Sequence, residues 1–369
     1  MNVMCLRLCL MVIAAMTACL LVAATALADG LPLPPFEQDA ERELAFDWVQ
    51  LSSGEWLKGE IERMMSDKLY FDSDELDEVS LDWGDVQTLV SKDVISLRLV
   101  SQEVVTGRIE LRAGVARCHT RAGVRELRPG DIIQIISGAL TERNYWSGGA
   151  SLNVSARSGN TDQTDVTLRA HLMRQTVLTR WRTSYTGELS TVDGEQTSNS
   201  HRVASQFDVY LTPRLFLTTP GFEYYTDEFQ NIDTRVTAGL GLGYEVFENS
   251  WFFWEVGTGV AYQRTTYVSV ESGADNADND AALVLSTGID FDLPRGIEWE
   301  NSYQLLAVVT DVDKTSHHAE SILSFDIWGP LEFEFALIFD RIERPVPDAS
   351  GDRPKSNDFR LTAGLGVDF

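Results

Sequence analysis

The chain has 369 residues, 30 of them Lys or Arg and 56 Asp or Glu, for a formal net charge of −26 at pH 7. So acidic a chain repels phosphate, which sets nucleic acid aside as a partner.

Residues 1–28 read as a secretory signal peptide: Arg7 is the only charge, the run from Leu8 to Val22 is apolar, and small residues end in Ala26-Leu27-Ala28. An uncleaved anchor helix is the rival, because the apolar run approaches the roughly 20 residues that span a bilayer. Met16-Thr17-Ala18-Cys19 offers a third reading, a lipoprotein site, although the residues after Cys19 stay apolar. The acidic, Pro-rich stretch from Asp29 to Pro35 favours cleavage after Ala28, with a linker to residue 45. Cleavage leaves Cys118 as the sole thiol, so no internal disulfide can form. Beyond the signal no apolar run reaches the roughly 18 residues of a membrane helix, so a spanning mature chain must cross with strands.

Residues 46–138 contain a repeat of roughly 47 residues. LSSGEWLKGEIE at 51–62 aligns with LVSQEVVTGRIE at 99–110, and LDWGDV at 81–86 with LRPGDI at 127–132. Each half alternates with period two and is punctuated by glycine, which predicts two small β-barrels in tandem. The halves resemble SH3-like or Sm-like small barrels. Such barrels often bind RNA, but Asp67, Asp72, Asp74, Glu75, Asp77 and Glu78 repel phosphate. A spacer or protein-docking module, or a domain that only stabilises the barrel entrance, remain the two readings.

From Tyr145 onward, apolar and polar residues alternate. Trp146, Gly148, Ala150, Leu152, Val154 and Ala156 share one face of the first strand, against Ser147, Gly149, Ser151, Asn153, Ser155 and Arg157. About twelve such segments follow one another, with tight turns near 175–178, 212–214, 247–250, 294–296 and 328–330. Longer polar loops near 158–162, 191–197, 227–230, 267–280, 311–315 and 345–356 alternate with those turns. The predicted fold class is all-β: an antiparallel transmembrane β-barrel over 139–369, preceded by a periplasmic tandem small β-barrel domain over 46–138. Short turns belong to the periplasmic end. Trp146, Trp181, Trp251, Trp254, Trp299 and Trp328 all fall near that end and predict an aromatic girdle. Pro220 predicts a bulge, and Asn301 is a polar residue on the lipid face.

The last strand sets Phe359, Leu361, Ala363, Leu365, Val367 and the terminal Phe369 on one face. It looks like the C-terminal signal that outer-membrane barrels present to their assembly machinery. With the opening Trp146-Ser-Gly-Gly-Ala-Ser-Leu152 and Ser158-Gly159-Asn160-Thr161, the chain resembles the YdiY-like family of salt-induced outer-membrane proteins, domain of unknown function 481. The resemblance covers roughly 145–369 and implies fold, location in the outer membrane and a link to salt or envelope stress, but no reaction.

The lumen carries the candidate site. Asp290, Asp292, Glu298, Glu300, Asp326, Glu332 and Glu334 form an inward acidic cluster near the short-turn end. Arg157, Arg169, Arg182, Arg202 and Arg235 form a basic wall from the first six strands. Either these groups close the interior as ion pairs, or they line a narrow pore with a transverse field. No catalytic, cofactor or metal site is expected. His171 points inward beside Arg169, His201 faces lipid, and His317-His318 near Asp311 and Asp313 read as a solvated loop. Asp275 to Asp280 lacks the glycine and terminal Glu of a Ca²⁺ loop and reads as a polar loop able to share divalent ions with lipopolysaccharide. Expected partners are outer-membrane lipid and lipopolysaccharide, the assembly machinery and a periplasmic protein docked on the small domain. A narrow cation-preferring channel, a structural or docking envelope protein, and an outer-membrane hydrolase are the function classes carried forward.

Overall fold

The computed structural model describes residues 46–369 apart from 66, 74–75, 138–144, 160–161, 249–250 and 369. The expected signal peptide and linker, Asn160-Thr161 of the opening motif and Phe369 therefore lie outside the described residues. Two compact units divide in sequence between Tyr145 and Trp146.

The first unit holds β1 (Asp47–Leu51), β2 (Trp56–Met65), β3 (Lys68–Ser73), β4 (Asp77–Asp82) and β5 (Val86–Val90), the first repeat. The second repeat supplies β6 (Ile95–Leu99), β7 (Val104–Arg112), β8 (Val115–Thr120), β9 (Gly123–Leu127) and β10 (Ile132–Ser137). Pairing runs β1-β5-β7-β6-β10-β2 and returns from β2 to β1, a six-stranded ring. The small-barrel character expected from the repeat is present, with both halves sharing one ring and one core. Each half has three ring strands, too few to enclose side chains, so β5 pairs with β7 of the other half and β10 with β2. Alternate residues point into the common interior, where Met64, Leu69, Phe71, Leu89, Leu97, Ile109, Leu111 and Ile135 are buried. Gly59 and Gly107 sit at matching crossings: a Cβ on Gly59 would strike the Asp72 carbonyl, and one on Gly107 the His119 carbonyl. The repeats also meet at equivalent turns, where the Trp83 indole donates to the Pro129 carbonyl at 3.0 Å.

The second unit is a closed barrel of antiparallel strands in sequential order. Its first six are β11 (Trp146–Arg157), β12 (Gln163–Gln175), β13 (Thr179–Val192), β14 (Glu195–Tyr210), β15 (Leu215–Asp227) and β16 (Ile232–Glu248). The other six are β17 (Phe252–Tyr267), β18 (Ala277–Leu293), β19 (Ile297–Val308), β20 (Ser316–Trp328), β21 (Leu331–Ile342) and β22 (Asn357–Asp368). Twelve strands and the alternation of short and long connections agree with the sequence expectation.

Two connections differ. The loop expected near 191–197 is a two-residue turn at Asp193-Gly194, both with positive φ (51° and 85°), as a twisted hairpin favours. The loop expected to run to residue 280 ends earlier, because Ala277 to Asp280 already pair with β17. Register shifts between Thr218 and Gly221, so Pro220 sits in an irregularity as expected.

Leu152, Leu240, Leu242, Val260, Leu283, Leu337 and Leu361 are exposed on the outer face, as lipid contact requires. Three of the six girdle indoles are satisfied within the wall: Trp181 donates to Ser205, Trp254 to Thr287 and Trp299 to Ser321, each at 3.0 Å on the next strand. Ser321 also donates to Asn301 at 2.8 Å, which accounts for a polar residue on the lipid face. The seam is short. Among the described residues β11 and β22 pair from Gly149↔Asp368 to Leu152↔Leu365, whereas β11 pairs with β12 along its whole length.

Candidate functional site

Inward positions of β16 and β17 carry Gly239, Gly241, Gly243, Gly257 and Gly259, which withdraw side-chain volume from one wall. The space left is a cavity of about 1080 Å³ reaching from the short-turn end toward mid-barrel. An eight-stranded barrel would fill its interior; the extra strands and the glycine wall leave this one partly hollow.

The acidic cluster faces this cavity. Asp290 lies opposite Glu300, Asp292 opposite Glu298, and Asp326 opposite Glu332, so like charges are direct cross-strand neighbours. Asp290, Glu298, Glu300, Asp326 and Glu332 line the cavity. Among the described residues, the ion pairs of the lumen involve none of Asp290, Asp292, Glu298, Glu300, Asp326 or Glu332. Glu334 is different: it accepts from Ser151 at 3.0 Å and lies 3.5 Å from Arg169. Side-by-side carboxylates are unfavourable neighbours in a sheet unless positive charge lies near.

The basic wall is mostly consumed internally. Arg182 contacts Glu255 at 2.6 Å and Asp208 at 3.3 Å. Arg169 reaches Glu320 at 3.6 Å as well as Glu334. Arg202 joins Glu223 and Asp340, both at 2.8 Å. Arg157 lies exposed at the long-loop end of β11, and Arg235 is buried in β16. Sequence reasoning passed over Arg180, which shares the inward face with Arg182 two residues later and contacts Asp208, Glu245 and Glu255 at 3.0, 3.4 and 2.8 Å. It also missed Arg360, which pairs with Asp340 and, at 2.7 Å, with Glu188. Period-two counting would have placed both arginines inward; their partners stand on distant strands and leave no local signal.

These contacts build a belt above the cavity. Asp340 receives Arg202 from β14, Arg360 from β22 and the His318 ring at 2.7 Å. The other nitrogen of His318 faces Glu320 at 3.3 Å, so both ring nitrogens are taken by carboxylates and neither is left for a serine. His318 is thus in the lumen rather than in a solvated loop, while His317 bonds Tyr303 and Glu343 on the outer rim. His171 lies 3.7 Å from Asp368, and His201 stacks on Tyr185 outside.

The long-loop end is tied down. The Asn231 amide donates to the carbonyls of Ser269, Val346 and Pro347, at 2.9, 3.3 and 3.2 Å, and its oxygen accepts from Ser269. One side chain thereby ties its own loop to two others. Asp278 and Asp280, expected in a cation-sharing loop, instead face the ammonium of Lys314 at 2.7 and 3.5 Å.

Comparison with known proteins gives a family and weak structural likenesses. No curated protein matches the chain. Among solved structures the chain is similar to the NanC porin at 13% identity, covering 60% of this chain and 98% of that one, with a TM-score of 0.35. The KdgM porin is similar at 10% identity over 61% of this chain and 98% of its own, with a TM-score of 0.28. The outer membrane channel DcaP of Acinetobacter baumannii matches at 11% identity over 88% and 94%, with a TM-score of 0.27. Likenesses this low carry no functional argument. The family model described as protein of unknown function, DUF481, matches residues 150–369, nearly the whole barrel, and the chain belongs to that family.

Proposed function

We propose that this protein is a narrow, cation-preferring channel of the outer membrane, with its small β domain in the periplasm and its conductance governed by the ion-pair belt. The observation that carries the reading is the cavity wall of β18–β21, where Asp290, Glu298, Glu300, Asp326 and Glu332 face open space. Such a wall concentrates cations and repels anions at the short-turn mouth. The even strand count returns both barrel ends to the same side, which for short turns is the periplasm. Family resemblance adds the expectation of a role under salt or envelope stress.

A non-conducting envelope protein is the second reading, favoured by the Arg202–Asp340 contact across the lumen and by the Asn231 clasp. Planar-bilayer recording distinguishes them. The channel reading expects cation-selective steps from the native protein, larger after the paired replacement Arg202→Ala, Asp340→Ala. No steps from either folded form would remove the channel and leave the structural role.

A further inference from the structure

Beside the belt, on the long-loop side of the cavity, lies a second and much smaller pocket of about 30 Å³. Arg235 of β16 borders it and is 8% exposed. Its guanidinium lies near the Tyr225 ring, 5.9 Å from the centroid, and its Nε donates weakly to Thr265 at 3.4 Å. Among the described residues no carboxylate lies within ion-pair distance of Arg235. The carboxylates lining the pocket are engaged elsewhere: Glu223 by Arg202, Asp340 by Arg202 and Arg360, and Asp358 by Arg360 at 3.7 Å.

Two further groups are incomplete at the same spot. Thr237, two residues along the same face, is 8% exposed and its hydroxyl has no partner. Gln263, the cross-strand neighbour of Thr237, is 1% exposed and its amide oxygen has no partner. Its amide nitrogen donates to Thr265 at 3.1 Å. A half-turn of that amide would let the Thr265 hydroxyl donate to the oxygen and turn the Gln263 nitrogen toward the pocket. Three donors, one of them a cation, would then converge on a space large enough for one small occupant.

Size and charge select the occupant. The pocket has room for a small inorganic ion. A buried charge without a counter-charge is strongly disfavoured, which neutral water relieves less than an anion does. We propose that Arg235, Thr237 and Gln263 form a binding site for a single halide-class anion inside the barrel. The inference does not depend on conduction, since its test reads stability and a bound halide rather than current.

The test uses the full-length protein folded in detergent micelles, with sodium chloride, bromide or gluconate at matched ionic strength. The thermal midpoint should be higher in chloride and bromide than in gluconate, and Arg235→Met should abolish that difference; Thr237→Val should reduce it. Equal midpoints in the three salts would overturn the site. If Arg235→Met fails to fold, crystals of the native protein grown in bromide decide independently. An anomalous peak beside Arg235 supports the site, and a pocket without one, holding water only, refutes it.

Discussion

Arg202 and Asp340 meet at 2.8 Å although their strands, β14 and β21, are separated by four others along the shorter way round the barrel. The contact crosses the lumen, so one pair couples opposite walls.

Breaking that pair from one side should be costly, because the survivor is a buried charge with too few partners. Arg202→Met is expected to lower stability by roughly 3 kcal/mol, the scale for removing one member of a buried pair. The double variant Arg202→Met, Asp340→Leu should recover part of the loss. Denaturant unfolding of the four proteins of the cycle measures it, and strictly additive losses would show that the pair is not coupled.

Ion selectivity of the native barrel should depend on salt. The carboxylates of the cavity act through an ionic atmosphere about 10 Å thick at 0.1 M and about 3 Å at 1 M. Reversal potentials should therefore show strong cation preference at low salt and weak preference at high salt. Replacing Glu298, Glu300 and Glu332 by Gln should abolish the low-salt preference; selectivity that survives would place its source elsewhere.

Glycines of the small domain divide into two kinds. Gly59→Ala and Gly107→Ala should each cost about 1–3 kcal/mol, since the new methyl group meets backbone with no room to move. Gly84→Ala and Gly130→Ala, with nothing within 4 Å of the added carbon, should be close to neutral. Thermal unfolding monitored by near-ultraviolet dichroism, to which Trp83 contributes, separates the pairs.

Cys118 is a buried thiol whose protonated form is favoured, burial pushing it up to about 11. Its folded pKa is raised, so the stability it lends is complete below the ordinary thiol range near 9 and is lost as pH rises through about 11. Maleimide labelling of Cys118 should be slow at pH 8 and accelerate on denaturation. Fast labelling of the folded protein would contradict the burial.

Amide exchange should be uneven around the barrel. Residues Asn153–Arg157 and Arg360–Gly364, beyond the four-residue seam, should exchange well before β16 and β17. Exchange mass spectrometry in micelles checks this, and uniform protection would mean that the seam is continuous.

Much of the barrel was legible because lipid outside and polar lumen inside write an alternation along every strand. Trp146 to Arg157 and Leu331 to Ile342 announce themselves this way. Asp278 and Asp280 did not, because aspartate ordinarily argues against strand; inside a barrel it needs only an inward place and a cation, which Lys314 supplies. The shared ring of the repeats was hidden for another reason. Each half predicts its own strands, but β5 with β7 and β10 with β2 are pairings between repeats, and alternation is silent about them. The belt was hidden likewise, since nothing near Arg202 in sequence names Asp340.

The girdle has a consequence for the bilayer itself. An indole usually settles at the headgroup level because its N–H needs water while its ring prefers hydrocarbon. Trp181, Trp254 and Trp299 already donate that N–H to the hydroxyl oxygens of Ser205, Thr287 and Ser321. They are thereby released from the water boundary and can lie within hydrocarbon at little cost. The depth of this edge in the bilayer is therefore set by the rest of the girdle, in which Trp328 is 82% exposed.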